Sequence, residues 1–257
     1  MKKKSLAVVV LTVLVVAISF GFSHINSLSF SSELQPKDSV TVASVVKKQE
    51  WLALYDSLHL NRLGLSEQAF HCAWYGFQKM KLKQPIVAIA DFSQSSRSKR
   101  LYIIDLINHK LLYNTYVAHG KNSGQEFAEH FSNQDSSNQS SLGFYRTLGT
   151  YQGKHGLSLK LEGVEKGIND HAFDRAIVMH AADYVSEAFI RQTGHLGRSL
   201  GCPAISYADH EKVINLLKNG AGLFLYSPEN NYLKKSSLLA GVSTSGNNQA
   251  SHPYTSL

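Results

Sequence analysis

The stretch GRSLGCPAIS, residues 197–206, holds a cysteine between a glycine and a proline. Gly201 opens backbone angles closed to other residues, while Pro203 fixes its own φ and steers Cys202 away from helix. A packing thiol needs neither neighbour; a thiol held out for nucleophilic attack uses both. Such a thiol reacts as the thiolate, so it needs an imidazole close by. The chain has 12 histidines, and position is what separates them. His180 ends the strand-like run RAIVMH, upstream of Cys202, where side chains stand at a sheet's rim. His195, in TGHLGRS, is the nearer competitor. On its own, His180 reads more often as a structural histidine than as a base.

Two other chemistries use the same residues. His180 and Asp183 form H-x-x-D, and His195 would complete a zinc set, though that leaves Cys202 without a role. Cys72 and Cys202 are the only two cysteines, so they are either one disulfide or one reactive and one packing thiol.

The elements that must carry these residues are mainly strands. IVAIADF, RLYIIDL and LLYNTYVAH are short, β-branched and aromatic, and Asn108-His109-Lys110 reads as the hairpin loop between the last two. GFYRTLGTYQG, HGLSLKLEG, RAIVMH and AGLFLYS continue the pattern beyond the polar stretch FSNQDSSNQSSLGFY, which reads as an internal loop. Helices are few. WLALYDSLHL is one, and Ser66 caps a second with Ala69, Phe70, Ala73, Trp74 and Phe77 on its apolar stripe. Cys72 reads there as a packing thiol. ADHEKVINLLKNG is a third helix, stopped at Gly220.

The chain of 257 residues carries a net charge of +7, with Lys2, Lys3 and Lys4 at its start and no basic-aromatic interleaving. Nucleic acid is therefore not an expected partner. The three lysines precede an apolar run from Leu6 to Phe22, the pattern of an export signal or a single-pass anchor. Residues 1–24 are assigned to it, 25–48 to a linker, 49–228 to a catalytic domain and 229–257 to a polar, disordered tail. The protein is expected outside the cytoplasm, in the periplasm or cell envelope, with the membrane touched only through the N-terminal segment if it is uncleaved.

HAADYVSEAFIRQTGHLGRSLGCPAIS resembles the active-site stretch of the murein L,D-transpeptidase catalytic domain family, a subgroup related to the YkuD-type cysteine enzymes. DFSQSSRSKRLYIIDL, NTYVAHGKNSG, TYQGKHGLSLKLEGVEKGIND and RAIVMHAADYVSE resemble it in the same order. The resemblance implies a mainly β fold with a few helices, an L,D-transpeptidase-like β-sandwich preceded by a short helical segment. It implies a cysteine acyl-transferase on peptidoglycan stem peptides, with no cofactor and no metal. Cys202 would be the nucleophile and His180 the base, oriented by the Ala181 carbonyl. Gly201 would let the scissile carbonyl approach an oxyanion hole made by the N–H groups of Gly201 and Cys202. Arg198, Ser199, Asn122, Ser123, Tyr145, His155 and His195 are the candidate substrate-binding residues. The sequence departs from the wider YkuD-type pattern at Leu200, at Ala204 and in a longer gap from His180 to Cys202. A water-accepting L,D-carboxypeptidase and a non-catalytic wall-binding protein of the same fold are the alternatives.

Overall fold

The computed structural model describes residues 50–242, so the segments assigned to export and linker lie outside the described residues. The first element, α1, covers 50–57. α2 (Glu67–Lys79) follows, with the Ser66 side chain accepting from the Ala69 N–H and Glu67 in the first turn. Its apolar stripe lies on β1 (Ile86–Asp91) and β8 (Gly222–Tyr226), and Cys72 is fully buried on it. Gly76 is what lets the helix come so close. A Cβ there would sit 2.0 Å from the Phe144 ring, which stacks on Phe224 at 4.1 Å and meets Phe77 edge-on at 5.3 Å.

Between β1 and β8 the chain adds β2 (Leu101–Asp105), β3 (Lys110–Thr115), β4 (Gly143–Gly153), β5 (Gly156–Gly163), β6 (Val178–Ala181) and β7 (Ala204–Ile205). The sheet order is β3-β2-β1-β8-β4-β5-β6-β7. β8 runs parallel to β1, pairing Leu223 with Ala88, and antiparallel to β4 on its other side. The chain just past β3 then meets β7, with the Ala118 N–H donating to the Ala204 carbonyl at 2.8 Å. The two ends of the sheet therefore touch. The expected sandwich is realised as one barrel-like sheet, mainly β and carrying few helices.

α4 (His210–Leu217) packs on β5 and β6 through Val213, Ile214 and Leu217. Two helices were not expected. α3 (Glu187–Thr193) starts at Ser186, whose hydroxyl accepts from the Phe189 N–H, and stops at Gly194 with φ +84°. α5 (Asn230–Lys235) starts where the Glu229 carboxylate accepts from the N–H groups of Asn231 and Tyr232. Tyr232, Ser236 and Leu239 are buried, so the segment expected as a disordered tail from 229 is packed against the core at its start. Its anchor is the buried carboxyl of Glu165, which accepts from the Phe144 N–H and from the hydroxyls of Tyr232 and Ser236.

Candidate active site

β6 and β7 run side by side in parallel, with His180 opposite Ala204 and Ala181 opposite Ile205. Cys202 stands two residues before Ala204, so it reaches the backbone of Val178, two residues before His180. The Val178 N–H donates to the Cys202 Sγ at 3.5 Å, and the thiol points its own hydrogen at the Ala176 carbonyl, 3.8 Å away. Side chains at 178 and 180 share a face because strand residues alternate. The pairing of two short strands thus places Cys202 beside the strand that carries His180.

His180 Nδ1 lies 2.9 Å from the Ala181 carbonyl oxygen. A carbonyl only accepts, so Nδ1 carries the hydrogen and Nε2 is left with a lone pair, the tautomer a general base needs. Burial pushes the imidazole below the ordinary histidine range; the Ala181 bond opposes this, and the charges of His155 and Lys154 add to it. His155, in the turn joining β4 to β5, stacks on the His180 ring at 4.6 Å with 25° between the planes. The imidazole is held at one edge by a hydrogen bond and on one face by a ring.

The Cys202 thiol is half-exposed as a residue, yet its surroundings raise it above the ordinary range through burial, against which the Val178 N–H and the Arg175 cation pull it down. Tyr184 faces it from the loop after β6 and is itself pushed up to about 12, first by burial and then by the cysteine's negative charge. Cys72 is buried and free, like Cys202, so no disulfide links them. Among the described residues no three His, Cys, Asp or Glu side chains gather as a metal set, so His180, Asp183 and His195 do not form the zinc site considered above.

Several expected substrate contacts have other partners. Ser199 is buried, accepts from the Gly201 N–H at 3.0 Å and donates to the Cys202 carbonyl at 2.6 Å, so its hydroxyl closes the turn that carries the thiol. The same bond occupies the Gly201 N–H, one of the two expected oxyanion donors; the Cys202 N–H has no partner among the described residues. Gly201 is required for a different reason. Its φ is +126°, and a Cβ would lie 2.9 Å from the Gln139 carbonyl oxygen and 3.0 Å from Ile177 Cδ1. Ser123 is buried and accepts from the Ser140 N–H, and Tyr145 is fully buried, donating to the Ser141 carbonyl; neither can meet a substrate. The exposed Asn122 donates to the Ser137 carbonyl, tying two loops together. Arg198 is exposed, and its Nη1 donates to the carbonyls of Lys121 and Gly124 instead of pairing with an acid. His195 bonds the Leu196 carbonyl and Gln125. Of that group, His155 is the one that stacks on His180.

The residues missed from the sequence lie under the turn. His119 accepts from the fully buried Arg100 at 2.7 Å, and its main-chain carbonyl receives the Ser199 N–H. Burial and the Arg100 charge hold this imidazole down at about 3, so it stays neutral. Arg100 also donates to the carbonyls of Val117 and Gln94, bracing the segment that closes the barrel. Ser140, fully buried, donates to the Gly201 carbonyl at 3.3 Å and accepts from the Gly120 N–H. The serine-rich stretch read as an internal loop packs against the turn that carries Cys202.

Among proteins of known structure, the chain is similar to an L,D-transpeptidase from Mycobacterium smegmatis, at 10% identity over 56% of this chain and 59% of that one, with a TM-score of 0.34. It is similar to an L,D-transpeptidase from Stackebrandtia nassauensis at 15% identity, covering 63% and 68% with a TM-score of 0.32. The helical cell shape determining protein Pgp2 from Campylobacter jejuni matches at 12% identity, covering 64% and 56% with a TM-score of 0.38. The chain spans about three fifths of the length of the first of these. No curated protein matches it. The family model for the L,D-transpeptidase catalytic domain matches residues 61–226, more than half of the chain and all of the strands that build the site. The chain belongs to the L,D-transpeptidase catalytic domain family.

Proposed function

We propose that this protein is an exported cysteine acyl-transferase that exchanges amide bonds in peptidoglycan stem peptides. The observation that carries the reading is the His180 tautomer. With Nδ1 bound to the Ala181 carbonyl, Nε2 is the proton acceptor, on the strand whose backbone touches the Cys202 thiol. His180 Nε2 takes the thiol proton as Sγ attacks the carbonyl carbon that joins the stem peptide to its terminal D-alanine. The Cys202 N–H donates to the oxyanion that forms, a kind of contact worth about 3–4 kcal/mol. The C–N bond then breaks, the imidazolium protonates the departing D-alanine amine, and a thioester remains. An acceptor amine gives its proton to His180, attacks the thioester and restores the thiol. The backbone carbonyl of Ala181 does the orienting that a carboxylate does elsewhere. The apolar segment 6–22 would deliver the domain to the cell envelope, where this substrate is found.

The test is incubation of the protein with a disaccharide-tetrapeptide, with the products separated by mass. Released D-alanine with a cross-linked dimer is the expected result, and Cys202→Ala and His180→Ala should abolish both. D-alanine with only a tripeptide product would identify water as the acceptor, the carboxypeptidase outcome. Folded protein that releases no D-alanine would contradict the proposal.

A further inference from the structure

Arg175, just before β6, is a charged group that the reaction above does not use. Its Nη1 donates to the Ser132 carbonyl at 2.9 Å and to the Ser141 hydroxyl, and its Nη2 donates to the Ser137 hydroxyl at 3.2 Å and the Gln139 carbonyl at 2.9 Å. Those four acceptors are neutral. Among the described residues no carboxylate forms an ion pair with the guanidinium, so its charge is uncompensated. The same Nη2 lies 3.4 Å from where a Gly201 Cβ would stand, which puts the cation against the turn that carries the thiol. Ala176, the next residue, has φ +53°, a conformation costly for a residue with a Cβ, and it presents its carbonyl to the Cys202 thiol.

We propose that Arg175 is a positioning residue for Cys202: its uncompensated charge favours the thiolate, while its fork clamps the serine loop 132–141 beneath Gly201. The groups that act on the thiol are the Val178 N–H from β6 and the Arg175 cation, while Tyr145 from β4 and Tyr184 from the loop after β6 lie within the field of its charge. The surrounding burial favours the neutral thiol. Arg175 is the permanent cation on the other side of that balance. A planar fork suits this dual task, since it can satisfy four acceptors in fixed directions and still carry its charge. The inference rests on Cys202 being the nucleophile.

The experiment measures the rate of Cys202 alkylation by iodoacetamide against pH, on the full-length protein, with peptide mass mapping to separate Cys202 from Cys72. Wild type, Arg175→Gln and Arg175→Lys are compared. Losing a nearby cation raises a thiol by about 1 unit, which slows alkylation near neutrality about threefold once the greater nucleophilicity of the more basic thiolate is included. Arg175→Gln is therefore expected to alkylate more slowly with its midpoint at higher pH. Arg175→Lys should keep the wild-type midpoint, and both should melt at lower temperature because the fork is lost. A merely structural role would lower the melting temperature and leave the midpoint where it was. An unmoved midpoint in folded Arg175→Gln, or one in Arg175→Lys that rises by a full unit, overturns the proposal. If Arg175→Gln does not fold, Arg175→Met is read in its place, with the same expected and overturning midpoints. Failure of wild type to form an acyl adduct with a stem peptide would refute the nucleophile instead, while the alkylation midpoints would still report on Arg175.

Discussion

At the scale of single residues, the site depends on small groups whose hydrogen bonds are already committed. Ser199 is the clearest. Its hydroxyl joins the Gly201 N–H to the Cys202 carbonyl, and Ser199→Ala would leave the Gly201 donor buried and unpaired, a cost of about 1–3 kcal/mol. Urea unfolding should show that loss, with a fall in kcat as the turn loosens and little change in KM. His155 acts on His180 through its ring. His155→Ala removes a stack worth about 1 kcal/mol and is expected to lower kcat about fivefold, while His155→Phe keeps the ring and most of the rate. Lys154 acts through charge alone. Its cation helps hold His180 below the ordinary histidine range, so Lys154→Gln should move the acid limb of the pH–rate profile to higher pH. Added salt should move the wild-type limb the same way, because the lysine is exposed and its field is screened.

At the scale of elements, β6 and the turn before β7 carry His180 and Cys202, and α5 locks the far end of β4. Glu165 links α5 to β4 through Tyr232 and Ser236 and the Phe144 N–H. Burial raises its carboxyl above the usual range, outweighing the hydrogen bonds it accepts. The sign of the consequence follows directly. Between the unfolded value of about 4.3 and the raised folded value, the native chain binds more protons than the unfolded chain. Stability from this group is therefore lost as pH rises through that window and stays lower above it. Glu165→Gln mimics the protonated acid, so its stability relative to wild type should increase from pH 4 to pH 8 in urea titrations. A pH-independent difference would show that the carboxyl is already ionised without cost. The strands of this domain were legible because β-branched and aromatic runs mark them, and α2 was legible from its Ser66 cap. α3 carried the same kind of signal in Ser186 and Glu187, and was hidden by its short length and by a surface with no buried side chain. α5 was hidden because its docking depends on Glu165, a partner remote in sequence.

At the scale of the whole molecule, the site exists because the sheet closes. Ala118 meets Ala204 at the seam, and Gly120 pairs with Ser199 just beyond it. The turn that carries Cys202 is thus fixed by the far end of the same sheet. None of this was readable from Cys202 and its neighbours, since local pattern specifies strands and not which distant strands pair. The thiol, its stiff flanks and the histidine at a strand end were readable, because chemistry constrains their types locally. The roles of Ser199, Ser123 and Tyr145 were not, because a buried hydroxyl and a substrate-facing one look alike in sequence. The two thiols should also behave differently across the molecule. Cys72 is buried in the core and pushed up to about 12 by that burial, so it should resist alkylation until the protein unfolds, while Cys202 reacts in the native state.

The central claim, that Cys202 carries the acyl group, is tested most directly by the intact mass of the protein after brief incubation with a disaccharide-tetrapeptide. Wild type and Cys72→Ser are expected to gain the mass of the acyl fragment without its terminal D-alanine, and Cys202→Ala to gain nothing. An adduct that persists in Cys202→Ala, or its absence from folded wild type with both thiols free, would contradict the account.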